Sequence, residues 1–291
     1  MAQCLQRDFG LAAAFPARYE RPASLDAALR LLDRGPWQLL AGGTDVYPAH
    51  VGKPVAAPLL DLTGIAALRG IRRDDRGHWF GATTTWTDVL DADLPPVFDA
   101  LKRAAREIGG VQIQNRGTLA GNLCNASPAA DGTPVWLALD ADVVLGSATG
   151  ERRLPVAGFV LGSRRTALAP GEIVLGLHVP ARRGAASRSH FQKLGGRRYL
   201  VISVTMVALA VDLDADARIV QAGVAVGSCS ARAMRLTSLE RRIAGRRLDE
   251  VEVLPDDVAT LMPIDDLRGS GAYRRDATAT LLRRAFAALA S

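Results

Sequence analysis

The stretch Asn115-Arg116-Gly117-Thr118-Leu119-Ala120-Gly121-Asn122-Leu123-Cys124-Asn125-Ala126-Ser127-Pro128-Ala129-Ala130-Asp131 decides how this chain is read. It shows neither the period of a helix nor the alternation of a strand, and it is rich in Gly, Asn and Ser. Long irregular segments inside compact domains are usually functional. Glycine allows positive φ and a close approach of a ligand to the backbone, and Thr, Ser and Asn add small polar donors. The glycine backbone at Gly117 and Gly121 and the side chains of Thr118, Asn122 and Ser127 therefore suit the oxygens of a phosphate. Asp131 does not, but an acceptor at the end of the segment suits a sugar hydroxyl. A second glycine-rich segment lies upstream, Leu39-Leu40-Ala41-Gly42-Gly43-Thr44-Asp45-Val46, and two such loops can clamp one pyrophosphate. As ordinary tight turns in a β-rich domain, neither requires a ligand, and the residues alone leave both readings open.

Around these loops the pattern is mixed. Ser24 caps a helix with Leu25, Ala28, Leu29, Leu31 and Leu32 on one face, stopped by Gly35-Pro36. Trp37–Ala41 reads as a strand running into Gly42, and Leu59–Leu62 and His78–Ala82 as further strands, the last entered by the turn Asp74–Gly77. Pro95-Pro96 opens a helix with Phe98, Leu101, Ala105 and Ile108 at helical spacing, closed by Gly109-Gly110. Pro134–Leu139 is apolar, Asp142–Leu145 reads as a strand, and Gly171–Pro180 as the strand that ends the first domain. Then come a hairpin, His190–Leu194 and Tyr199–Asp212, the turn Asp214–Ala217, the strand Arg218–Val226, and helices over Thr237–Gly245 and Tyr273–Ala290. Strands followed by helices make a second α+β unit.

Composition sets the limits. The 291 residues predict about two domains, and 48% apolar with 23% charged residues excludes disordered and fibrous classes. Cys4, Cys124 and Cys229 form no C-x-x-C, which argues against a disulfide framework, a zinc site or an iron–sulfur cluster held by this chain alone. A reducing cytoplasm is the simplest compartment. The net charge of +6 comes largely from scattered Arg doublets such as Arg182-Arg183, which read as a solvated surface, and 5% aromatic residues do not make a nucleic-acid groove. Met1–Phe15 lacks a secretory pattern, and the apolar run Tyr199–Val211 is too short for membrane insertion. There is no G-x-G-x-x-G, P-loop, H-E-x-x-H or G-x-S-x-G, and His50, His78, His178 and His190 are dispersed. No catalytic side chain and no metal ligand is assigned.

Ala41–Asp45, Gly81-Ala82-Thr83-Thr84, Asn115–Asp131, Lys193-Leu194-Gly195 and Tyr273-Arg274-Arg275, in that order, resemble the FAD-binding medium subunit of molybdenum-containing hydroxylases, the flavoprotein subunits of the xanthine and carbon monoxide dehydrogenases. The resemblance covers nearly the whole chain. It implies an α+β fold: a vanillyl-alcohol-oxidase-type (PCMH-type) FAD-binding domain over residues 1–182, with subdomains of about 1–60 and 61–182, and a C-terminal α+β domain of the CO dehydrogenase flavoprotein type over 187–291. It places FAD against Leu39–Val46 and Gly117–Asn122, with Ser127, Asp131, Ile108, Val174 and Lys193 also in contact. The family pattern often has Ile and Gly where this chain has Leu119 and Ala120. Tyr199 reads either as a ring near the isoalloxazine or as a half-buried strand tyrosine.

The resemblance further implies an oxidoreductase subunit. Substrate oxidation would occur at a molybdenum cofactor on a large subunit, with electrons passing through [2Fe-2S] clusters on a small subunit to this FAD. They would then reach NAD, oxygen, a quinone or a cytochrome, the assembly being a dimer of heterotrimers. The competing reading is a self-sufficient flavin oxidase or dehydrogenase with its own small organic substrate, for which His190 and Arg197 would be the groups on offer. A basic interaction protein with glycine turns and no ligand is the third.

Overall fold

In the computed structural model, which describes residues 18–182 and 184–291, the chain builds four sheets. The readings placed on Met1–Phe15, Cys4 and Arg183 lie outside those residues. The first sheet is parallel, with β1 (Tyr19–Glu20) and β2 (Gln38–Leu40) on either side of β3 (Leu59–Asp61). The crossover helix between β1 and β2 is α1 (Leu25–Asp33), and Ser24 caps it by accepting from the Ala27 N–H. Its Ala28 is buried in one core cluster with Leu60, Ile65 and Leu175.

The chain then forms β4 (Ile71–Asp74) and β5 (Gly77–Gly81), followed by α2 (Trp86–Asp91), α3 (Asp99–Glu107), α4 (Val111–Gln114), α5 (Leu119–Asn125) and α6 (Gly132–Ala138). Next come β6 (Asp142–Ser147), β7 (Gly150–Pro155), α7 (Val156–Phe159), the two-stranded β8 (Val160–Gly162) and β9 (Arg165–Thr166), and β10 (Ile173–Pro180). β10 returns to the centre of an antiparallel sheet of order β4-β5-β10-β6-β7, joining the two hairpins. Under it lie Phe80, Phe98 and Trp136 with edge-to-face ring contacts.

The last part is an antiparallel meander, β11 (Ala186–Gly195), β12 (Ser203–Leu213), β13 (Ile219–Gly227) and β14 (Met234–Arg235), followed by α8 (Thr237–Ile243) and the long α9 (Gly271–Ala290). Every residue of β12 is buried, because the strand faces two cores. Met206, Ala208 and Ala210 join Phe98 and Trp136, while Val207, Leu209 and Val211 join Leu239, Leu282 and Phe286. That is why β12 reads as a continuous apolar run. The approach is close: a Cβ on Gly223 would lie 2.0 Å from the carbonyl oxygen of Ala138 in α6.

Three expectations change. The segment Val111–Asp131 contains two short helices, α4 and α5, whose few residues cannot display a helical period. The strand expected from Tyr199 begins at Ser203, and Tyr199–Ile202 forms an irregular approach to it. Tyr199 is exposed, with the Arg198 guanidinium over its ring, so it is no half-buried strand residue. The final helix starts at Gly271, capped by Ser270. Among the described residues, no helix is long and apolar enough to cross a membrane.

Candidate cofactor site

A cleft of about 660 Å³ is lined from one side by the loop after β2 and from the other by the segments around α2, α4, α5 and β10. The β2 loop turns through Gly43 in the left-handed region at φ +73°, a conformation glycine adopts without strain. Gly42 abuts the other wall, where a Cβ would lie 1.9 Å from the Arg116 carbonyl oxygen. The N–H groups of the five residues Gly42 to Val46 donate to no backbone acceptor among the described residues. Successive N–H groups of this kind form an anion-binding concavity. The loop is tied to α5 by Asp45, whose carboxylate accepts from Asn125 Nδ2 at 2.7 Å, and Arg164 in turn donates to Asn125 Oδ1.

The second segment uses its backbone differently. Gly117 donates to the Ile113 carbonyl, Leu119 to that of Thr84, Ala120 to that of Ala82, and Asn122 to that of Thr118. Gly121 donates to Thr118 Oγ1 at 3.1 Å, the N-cap bond of α5. What this wall offers the cleft is therefore mostly side chain. Asn122 Oδ1 is buried and has no partner among the described residues.

At the end of the segment, Asp131 is almost fully buried and accepts from Lys193 Nζ at 3.0 and 3.2 Å and from Ser203 Oγ at 3.2 Å. Burial pushes its carboxyl up to about 6, even though Lys193 and Ser203 favour the ionised form; Glu107 nearby adds to the rise. The other walls are apolar, with Leu39, Val46, Ile108, Ile113, Leu168 and Val174. This combination of apolar walls, open loop N–H groups and a few polar side chains suits a partly anionic small molecule.

Most of the residues singled out in sequence meet here. Leu39 to Val46, Ile108, Gly117, Thr118, Ala120, Gly121, Asn122, Ser127, Asp131 and Val174 all line the cleft. Two do not. Leu119, the first residue of α5, is turned with Leu123 into the core, because residues four apart share a helix face. Lys193 reaches the site only through its ion pair with Asp131. Tyr199 is absent from the lining, whereas its neighbours Leu200, Val201 and Ile202 contribute to it; Leu200 sits at φ +51°. His190 and Arg197 are also absent, and Arg197 donates instead to the Leu200 carbonyl.

Ala82, Thr83, Trp86, Ile113 and Arg164 were not anticipated. For Ala82 and Thr83 the signal was present in Gly81-Ala82-Thr83-Thr84. For Arg164, brought in by the small β8–β9 hairpin, there was none. No group of three or more His, Cys, Asp or Glu side chains able to hold a metal ion occurs among the described residues.

The chain is similar to known proteins over most of its length. Residues 13–182 match the family described as the FAD binding domain in molybdopterin dehydrogenase, and residues 190–289 match the CO dehydrogenase flavoprotein C-terminal domain. The glyceraldehyde dehydrogenase medium chain of Sulfolobus acidocaldarius is 30% identical over 92% of this chain and 96% of its own length. The nicotinate dehydrogenase FAD-subunit of Eubacterium barkeri is 31% identical over 91% of this chain and 93% of its own. A solved structure of carbon monoxide dehydrogenase from Hydrogenophaga pseudoflava, lacking the Mo-pyranopterin moiety of its cofactor, superposes with a TM-score of 0.82 at 28% identity, covering 93% of this chain and 96% of the other. With both halves matched in order and most of the cleft lined by the first of them, the chain belongs to the FAD-binding medium-subunit family of the molybdenum hydroxylases.

Proposed function

We propose that the cleft holds FAD with its pyrophosphate on the N–H groups of Gly42 to Val46, and that the chain relays electrons between the other subunits of a molybdenum hydroxylase and a terminal acceptor. The observation that carries this reading is the run of N–H groups in the β2 loop without backbone acceptors among the described residues, in a cleft also lined by Thr118, Asn122, Ser127 and Asp131. The residues fit the group. Backbone donors suit the phosphates, Asp131 suits a sugar or ribityl hydroxyl, the unpartnered Asn122 Oδ1 accepts a further N–H or O–H, and the apolar walls suit a ring system. Thr118 and Ser127 add hydroxyls on the wall facing the loop.

Bound FAD supplies the exchange between single electrons and two-electron hydride chemistry. The residues of this chain bind it, orient it and exclude water from part of it, and no side chain here is assigned to acid–base work on an organic substrate. We further propose the division into residues 1–182 and 187–291, supported by family matches that break at nearly the same place. The proposed assembly is a heterotrimer, paired as a dimer of heterotrimers, with a large molybdenum-cofactor subunit and a small [2Fe-2S] subunit. The proposed flow takes single electrons from the small subunit and delivers them to an acceptor such as NAD. Support comes from relatives named as medium chains or FAD-subunits of dehydrogenases. A cytoplasmic setting is supported by the free thiols of Cys124 and Cys229.

The test is affinity purification from the native host, with an absorption spectrum and metal analysis. Yellow protein arriving with molybdenum and iron is expected. Colourless protein that takes up no FAD overturns the cofactor reading, and an isolated yellow chain bleached by a small organic donor overturns the relay.

A further inference from the structure

Arg274 lies outside the cleft, in the first turn of α9, with only 2% of its surface exposed. A buried guanidinium is costly unless its donors are met. Here Nη1 donates to two backbone carbonyls, those of Val204 at 2.6 Å and Ser228 at 3.0 Å, and Nη2 donates to Asp266 Oδ1 at 2.6 Å, while Nε is buried without a partner among the described residues. Asp266 is itself held by the backbone N–H and guanidinium of Arg268.

The two carbonyls belong to different segments, and each segment reaches the wall of the cleft. Val204 follows Ser203, whose hydroxyl donates to Asp131 Oδ1 at 3.2 Å. The N–H of Ser228 donates to the carbonyl of Pro128 at 3.0 Å. Ser228 occupies the left-handed region at φ +62°, a conformation that a non-glycine residue keeps only where its surroundings hold it. Its N–H is held by Pro128 and its C=O by Arg274. One guanidinium nitrogen thus braces the start of β12 and the end of β13, and these two points pin opposite ends of Ser127–Asp131.

From this geometry we infer that Arg274 is a positioning residue for FAD: it sets the segment Ser127–Asp131 against the cofactor from the far side of the C-terminal sheet. The inference rests on the proposed occupancy of the cleft. It also gives the Tyr273-Arg274-Arg275 stretch a role that no contact with the cleft supplies, since none of the three lines it.

The test uses the full chain, comparing wild type with Arg274→Gln, Arg274→Lys, Ser203→Ala and the double variant Arg274→Gln/Ser203→Ala. FAD affinity is measured by fluorescence titration, and the setting of the bound ring by visible circular dichroism. Loss of a charged hydrogen bond transmitted to the site predicts that Arg274→Gln weakens FAD binding at least about fivefold, with a changed visible spectrum. Arg274→Lys recovers part of the loss, and the double variant binds less weakly than the sum of its singles requires, because the two residues act in series. A lowered melting temperature with unchanged FAD affinity and spectrum, or strict additivity in the double variant, overturns the inference. If Arg274→Gln does not fold, Asp266→Asn loosens the same guanidinium from a more exposed position, and unchanged FAD binding in that variant overturns it equally. A wild-type chain that takes up no FAD overturns the cofactor reading, and this inference with it, whereas normal wild-type binding unaltered by the variants overturns the positioning role alone.

Discussion

In the loop Leu39–Val46 the five N–H groups from Gly42 to Val46 have no backbone acceptors among the described residues, whereas in Gly117–Asn122 those of Gly117, Leu119, Ala120, Gly121 and Asn122 all donate within the protein. The two segments look alike in sequence, and both line the cleft. Their glycines serve different ends. Gly43 provides positive φ, and Gly42 lets one wall touch the other. A Cβ on Gly121 would instead meet Thr118 Oγ1 at 2.7 Å, inside the cap of its own helix. Glycine content therefore marks close packing in both places, but open donors in only one. The first loop thus offers a run of open donors on a half-buried to exposed stretch, whereas the second keeps one unpartnered buried acceptor, Asn122 Oδ1, among the described residues.

Three experiments break or sharpen this contrast. The largest effect is expected from Gly42→Ala. The new methyl group would displace the Arg116 carbonyl, and overpacking of about 1–3 kcal/mol translates into FAD binding weakened about tenfold or more. Titration of the purified variant with FAD measures it. Unchanged affinity would show that the loop is not the anion site.

The second expectation is a pH dependence at the side-chain end of the cleft. Asp131, with its carboxyl near 6, accepts a sugar hydroxyl as a carboxylate and loses an acceptor when protonated. FAD affinity should fall as pH drops through 6, by about tenfold for each unit at most, and Asp131→Asn should flatten the profile. The stability of the unliganded chain runs the other way. The folded-state value lies above the ordinary 3.8, so this group's contribution is full below that value and is lost as pH rises through about 6. Thermal melts at pH 5 and 7, with and without FAD, separate the two.

The smallest effect belongs to the second loop. Thr118→Ala removes the α5 cap, costing about 1 kcal/mol of stability, while FAD binding weakens less than it does in Gly42→Ala. Melting temperature and affinity measured on the same preparation check this. A Thr118 variant that loses FAD before it loses stability would erase the distinction between the loops.

Much of this site was legible in the chain itself. The cap at Ser24, the β4–β5 turn over Asp74–Gly77 and the strand ending at Pro180 follow from local rules of capping, turns and alternation. The two glycine-rich segments were equally plain, and all of Leu39–Val46 does line the cleft. What misled was orientation within short elements. Leu119 sits among cleft residues in sequence but faces the core, and the seven residues of α5 are too few to reveal which face is which. Arg164 and Leu200 arrive from segments with no motif of their own, through the β8–β9 hairpin and the irregular approach to β12.

The amino-acid sequence by itself determined the α+β class, the two loops and the acidic end at Asp131, because these depend on residue types and spacings that operate locally. Only the tertiary structure decided which N–H groups remain open, that Lys193 acts through Asp131, and that Arg274 is fastened to both segments holding Ser127–Asp131. Hydrogen-bond satisfaction is a property of the whole fold: an N–H is free or taken according to which distant carbonyl the packing brings beside it.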